Sequence, residues 1–159
     1  MHEFNPQASE MFVVIVGCGR VGSAIAKRMT RQGHEVSVLD ENPEAHALLE
    51  HDMDQTWEDA GGRFTVGTAL EVEALHEAGI EQADVVVCST DGDNTNIIVA
   101  QLAKKRFQVP KVVVRVLDPY RAEWYSEQGL QTVCPTQVAI DMLTEAVMGD
   151  VVVVAGETG

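Results

Sequence analysis

The stretch Phe12-Val13-Val14-Ile15-Val16-Gly17-Cys18-Gly19-Arg20-Val21-Gly22 joins an uninterrupted apolar run to a glycine loop. Phe12–Val16 reads as a strand covered on both faces, because it does not alternate with polar residues. The three glycines each have a separate use. Gly17 permits a tight turn, Gly19 lets the backbone approach a pyrophosphate, and Gly22 lets helix and strand pack closely. Behind them Val21, Ala24, Ile25 and Met29, with the stem of Arg28, recur at helical spacing, and Gly33 ends the pattern. A helix over 20–32 then presents its positive end and free amides to phosphate.

A glycine loop alone is weak evidence, since glycine turns are common. Here the next strand, Glu35–Leu39, leads into Asp40. That position, about 20 residues on, is where a carboxylate accepts hydrogen bonds from ribose hydroxyls. The other reading of Asp40 is the N-cap of a helix starting near Pro43. A carboxylate there repels a 2′-phosphate, so NADP is disfavoured against NAD or an adenosine nucleotide. Arg20 places a guanidinium beside the phosphate site, or is simply a solvated residue at the helix start.

Outward from this core the chain alternates. Further strand runs are Phe64–Val66, Asp84–Cys88, Val112–Val116 and Leu130–Cys134, with helices expected at 69–78, 93–107 and 119–128. Alternating strands and helices predict a Rossmann-like, doubly wound α/β fold on a parallel sheet. Pro43–Gly62 starts helically and then turns polar, and its second half reads as a loop or insertion. In a helix over Thr136–Met148, apolar residues cover an arc of about 200°. One core needs about half of that, so this crossover helix is expected to pack on two surfaces, its own sheet and something else. The domain is expected to span 11–149, after a flexible leader at 1–10. The run Val151–Val154 then opens a linker or a truncated C-terminal domain within 150–159.

Composition bounds the partners. The 159 residues carry a formal charge of −14, which repels nucleic acid, and are 45% hydrophobic, enough for a core. No apolar run reaches the roughly 18 residues of a membrane span, and the first ten residues do not read as a secretory signal. Cys18, Cys88 and Cys134 are sparse and unpaired in spacing, as in a reducing, cytoplasmic setting. Buried thiols are the plainer account of Cys18 and Cys88, and redox sensing the alternative. His46 and His51 lie i, i+5, a poor spacing for one helical face, so His51-Asp52-Met53-Asp54 reads as a solvated acidic loop without a metal. Lys104-Lys105-Arg106 complements a helix dipole. No nucleophile, base and orienting group occur together, so no catalytic residue is assigned and the chain is read as a non-enzyme.

Several motifs recur in a family-like order. They are the GxGRxG loop, Gly33-His34-Glu35-Val36, Leu39-Asp40, Gly67-Thr68-Ala69 and Leu75-x-x-Ala78-Gly79-Ile80-x-x-Ala83-Asp84. Val87-Cys88-Ser89-Thr90-Asp91, Asn94 or Asn96, Ala103-Lys104 and Arg115 follow. Together they resemble the RCK or KTN (TrkA-N-like) regulatory domain of potassium-uptake and potassium-channel systems, in the manner of Trk and Ktr regulatory subunits. The resemblance implies NAD(H) or ATP/ADP as a sensing ligand and a homodimer that assembles into a ring. It also implies a separate potassium-transporting membrane subunit and a cytoplasmic location at the inner membrane face through that partner. It assigns the phosphates to Gly17, Gly19, Val21 and Gly22 of the loop, with Arg20 reaching the distal ones. Asp40, with Glu41 beside it, takes the ribose, and Thr68, Ala69 and Leu70 line the adenine. Ser89, Thr90 and Asp91 border the cleft, and Arg115 is a second phosphate contact. The helix at 136–148 fits the family's dimer crossover helix. Two departures stand out: Thr68 replaces the family's usual Asp, and Thr136 follows Pro135 where some members carry a metal-binding Glu. Other functional readings are the cofactor-binding half of an NAD-dependent dehydrogenase and a thiol redox sensor.

Overall fold

The computed structural model describes residues 10–149, so the leader up to residue 9 and the valine run lie outside the described residues. Six parallel strands form one sheet in the order β3-β2-β1-β4-β5-β6. They are β1 (Phe12–Val16), β2 (Glu35–Asp40), β3 (Arg63–Val66), β4 (Val85–Cys88), β5 (Lys111–Arg115) and β6 (Gln131–Val133). The helices are α1 (Arg20–Arg31), α2 (His46–Glu50), α3 (Val72–Ala78), α4 (Asp93–Gln101), α5 (Pro119–Glu127) and α6 (Pro135–Met148). The doubly wound α/β expectation is therefore met. No helix among the described residues is long and apolar enough to cross a membrane.

Alternation along the central strand divides the core in two. Val13 and Ile15 of β1 pack with Ala26, Val36, Val38, Leu49 and Trp57, on the side of α1 and α2. Val14 and Val16 pack on the other side with Leu75, Val86, Ile97, Ala100 and Val114, under α3 and α4. A strand with apolar side chains on both faces can serve both layers, which is why Phe12–Val16 shows no polar alternation. The segment from Ala78 to Asp84 fixes the turn into β4. Gly79 takes a left-handed φ of 92°, Ile80 is fully buried, and the Asp84 carboxylate accepts from the Phe12 amide at 2.7 Å.

The structure corrects three expectations and adds to a fourth. The helix expected from 69 begins at Val72, because a turn closed by the Glu71 amide on the Thr68 carbonyl comes first and Glu71 itself is extended. The helix expected over 93–107 is α-helical only to Gln101 and closes in one wide π turn at Leu102–Arg106, with the Phe107 amide donating to the Leu102 carbonyl. The polar stretch at 51–62 is a loop as expected, but an anchored one: Trp57 is 0% exposed and its Nε1 donates to the Arg63 carbonyl at 3.0 Å. Finally, α6 has no buried residue among the described ones, with Leu143 67% and Val147 83% exposed. Its wide apolar arc therefore does not cover its own sheet.

Candidate functional site

A cavity of about 710 Å³ opens at the carboxyl ends of β1, β2 and β4. The sheet order reverses between β1 and β4, and such a switch point leaves a crevice between diverging connections. The volume lies within the range of small-molecule and cofactor sites. Its floor is the glycine loop. Gly17 has φ +104°, and a Cβ on it would meet the Thr90 amide nitrogen at 2.7 Å. A Cβ on Gly22 would overlap the Gly17 carbonyl oxygen at 1.8 Å, so the turn and helix α1 interlock there. Gly19 is different: a Cβ there would find nothing within 4 Å. The loop is thus bare toward the cavity, as a pyrophosphate approach requires. Gly19 is also the N-cap of α1, no side chain caps that end, and its first turn holds no acidic residue. The first-turn amides point out of the helix without intrahelical partners.

Asp40 ends β2 directly beside the glycine loop. Its Oδ2 accepts from the Cys18 amide at 2.7 Å and its Oδ1 from the Asn42 amide at 2.8 Å. The carboxylate therefore sets the shape of the glycine loop and of the turn leaving β2. Each oxygen retains lone-pair capacity for a ribose hydroxyl. The N-cap of the next turn is Asn42, whose Oδ1 accepts from the Glu44 amide at 2.9 Å, so the alternative reading of Asp40 as a cap fails. Asp40, Glu41 and Glu44 all line the cavity. Three carboxylates around one end of the cavity oppose a further anionic group there.

Gly17, Gly19, Asp40, Glu41, Thr68, Ala69, Leu70, Ser89, Thr90 and Asp91 all line the cavity, so the structure brings these expected residues together. Others stand apart from it. Gly22 acts beneath the loop, Val21 is 43% exposed, and Arg20 is exposed at the first position of α1. Arg115 at the end of β5 does not line the cavity; its Nη1 lies 3.9 Å from Asp91 Oδ1 and its buried Nε has no partner. Its guanidinium is directed toward Asp91, which does line the cavity. Asn96 holds the far wall instead. Its Oδ1 accepts from the Thr90 amide and hydroxyl at 2.9 and 2.6 Å, and its Nδ2 donates to the Arg115 carbonyl at 3.0 Å.

Sequence reasoning missed Asn42, Glu44, Leu48 and Thr95 in the lining. Asn42 and Glu44 come from the turn after β2, Leu48 from α2 and Thr95 from the first turn of α4, where no spacing rule marks them. Cys18 lines the cavity but is buried, its Sγ 3.4 Å from the Ala45 carbonyl oxygen. Burial, with the Asp40 charge adding to it, pushes this thiol up to about 12, and burial alone pushes Cys88 up to about 12. Both stay protonated at neutral pH, which removes the nucleophilic thiolate a redox sensor needs. His46 faces Glu50 and Glu58 rather than pairing with His51. Its i, i+4 spacing to Glu50 was the signal available for that contact.

The TrkA-N domain pattern matches residues 13–136. The chain is 40% identical over 133 residues to the Trk system potassium uptake protein TrkA of Streptomyces coelicolor, covering 84% of this chain and 56% of that one. It thus spans little more than half the length of that relative. Among solved structures, the Kef C-terminal domain of Shewanella denitrificans in its AMP-bound form superposes with a TM-score of 0.67 at 24% identity, over 87% of this chain and 82% of that one. The GsuK RCK domain gives a TM-score of 0.72 at 21% identity, over 90% and 29%. The GsuK channel bound to NAD gives 0.61 at 17%, over 84% and 23%. At these identities the superpositions speak for the fold.

Proposed function

The chain belongs to the TrkA-N domain family, and on that footing we propose that it is a nucleotide-sensing regulatory domain of a potassium transport system. The observation that carries the reading is the unobstructed backbone at Gly19 beside the Asp40 carboxylate, both lining one cavity. Nothing in the protein's own packing needs a glycine at 19, whereas a pyrophosphate lying on the loop does. The ligand is NAD(H) or an adenine nucleotide such as ATP or ADP. Its phosphates lie on the amides of residues 19–22 with Arg20 alongside, its ribose on Asp40 and Glu41, and its base toward Thr68, Ala69 and Leu70. Proteins of the same fold are described with AMP and with NAD. The relative named above is a potassium uptake protein rather than a dehydrogenase, so the role is regulatory and not catalytic.

The proposal extends to assembly as a homodimer built through α6, as a step toward a ring. Val138, Ile140, Met142, Leu143 and Val147 of this helix are all exposed. The sheet face opposite α4 and α5 is also incompletely covered, since Val113 is half-buried and Val133 exposed. A second copy's α6 supplies apolar surface of the kind this face lacks. Through a ring of such dimers the domain acts from the cytoplasmic side on a separate membrane subunit.

Potassium uptake tests the whole proposal. Cells deleted for the chain and complemented with wild type are expected to recover uptake at low external potassium. Cells given Gly19→Ala at equal protein level are expected to lose the nucleotide-dependent part. Equal recovery by both would separate transport from this cavity.

A further inference from the structure

On the outer side of α2, away from the nucleotide cavity, three donor side chains converge. His46 and Glu50 lie i, i+4 on the helix and therefore share a face. Glu58 comes from the 51–62 loop and meets the other ring nitrogen of His46. His46 Nε2 is 2.7 Å from Glu58 Oε1, and His46 Nδ1 is 3.4 Å from Glu50 Oε1. One ligand atom from each of the three lies within 4.8 Å of the others.

The loop that delivers Glu58 is not free to wander. Trp57, next to it, is fully buried, its amide donates to Glu50 Oε1 at 3.3 Å, and its indole fills the space a Cβ on Gly62 would need. The imidazole is held as well, edge-on to Phe64 with ring centroids 5.3 Å apart. All three side chains keep part of their surface in water, so an ion has an entry path and open coordination positions.

The charges are unbalanced as they stand. Two carboxylates face one imidazole, and even a protonated ring offsets only one of them. A dication bound to the neutral ring offsets both. We propose that His46, Glu50 and Glu58 form a binding site for a borderline divalent transition-metal ion, Zn(II) above all. One nitrogen and two carboxylate oxygens with water completing the shell suit Zn(II) and its neighbours, while Mg(II) prefers oxygen alone. A bound tetrahedral ion with bonds of about 2.1 Å needs donor atoms roughly 3.4 Å apart. A rotamer change in Glu50, which is partly exposed, brings its carboxylate round to the Nε2 side where Glu58 already lies. The ion would clasp the 51–62 loop to α2, so the inference goes beyond the nucleotide reading and does not depend on it.

The test is calorimetric titration of the full chain with zinc chloride, and separately with magnesium chloride, in the absence of nucleotide. One Zn(II) per chain is expected, with magnesium weaker. His46→Asn and Glu58→Gln should each cut zinc affinity at least by the ~10–100-fold seen for removing even outer-shell partners. Circular dichroism checks that each variant folds, and the exposed Glu58 variant carries the test if the His46 variant does not. Zinc affinity unchanged in the folded variants overturns the proposal. So does a thiolate charge-transfer band on Co(II) substitution, which would place the ion on cysteine.

Discussion

Gly19 and Gly22 stand three residues apart in one loop, yet only one of them is needed by the fold. A Cβ at 22 would sit 1.8 Å from the Gly17 carbonyl oxygen, and one at 19 would meet nothing. Gly22→Ala is therefore expected to destabilise the domain by about 2–3 kcal/mol or more, because main chain must move to relieve the overlap. Gly19→Ala should change stability by no more than about 1 kcal/mol, mostly the poorer N-cap, while weakening nucleotide binding by roughly tenfold or more. Urea denaturation and calorimetry of the two variants separate the effects; equal loss of stability would show that Gly19 is structural. At this scale the site was largely legible, because glycine spacing and a carboxylate ending the next strand are local signals. The double duty of Asp40 was not legible. Its bonds to the Cys18 and Asn42 amides depend on how two separate turns meet. The approach of Arg115 to Asp91 was equally hidden, since strand-end position does not tell which way a long side chain runs.

Strand β1 shows why the sheet could be read so closely. An apolar run buried on both faces leaves no alternative pattern, and Phe12–Val16 is the strand observed. The 51–62 loop shows the opposite case. Its polar residues conceal one buried aromatic, Trp57, which together with Leu49 extends the core beside β2 and β3. One anchor among exposed residues makes no period, so the segment reads as an insertion. Truncating it should matter accordingly: Trp57→Ala is expected to cost about 3–5 kcal/mol, the usual range for a fully buried tryptophan. A chemical denaturation midpoint within error of wild type would show that the loop is dispensable to the fold. The π turn at Leu102–Arg106 was likewise invisible to a 3.6-residue pattern. It keeps Ala103 buried while Lys104 stays exposed and donates to the Gly129 carbonyl at 2.7 Å.

The whole molecule presents an acidic surface with one cavity at its switch point and one apolar helix, α6, left without cover among the described residues. The excess apolar arc of that helix was visible in its periodicity. What covers it was not, because a single chain's pattern does not say which surface lies opposite. Light scattering is expected to report a dimer, and Leu143→Asp with Val147→Asp to give a monomer with an intact fold, since neither side chain is buried within the chain. A wild-type monomer at high concentration would remove α6 as the assembly element. On the proposed reading, Asp40, Glu41 and Glu44, which all line the cavity, are expected to disfavour a 2′-phosphate beside them. The central claim, an adenine-nucleotide site at the glycine loop, is tested most directly by calorimetric titration of the purified chain with NAD, NADH, ADP, ATP and NADPH. The account predicts saturable binding of NAD(H) or an adenine nucleotide, with NADPH weaker than NADH by tenfold or more, about 1.4 kcal/mol. Binding of none of them, or NADPH equal to NADH, would contradict it.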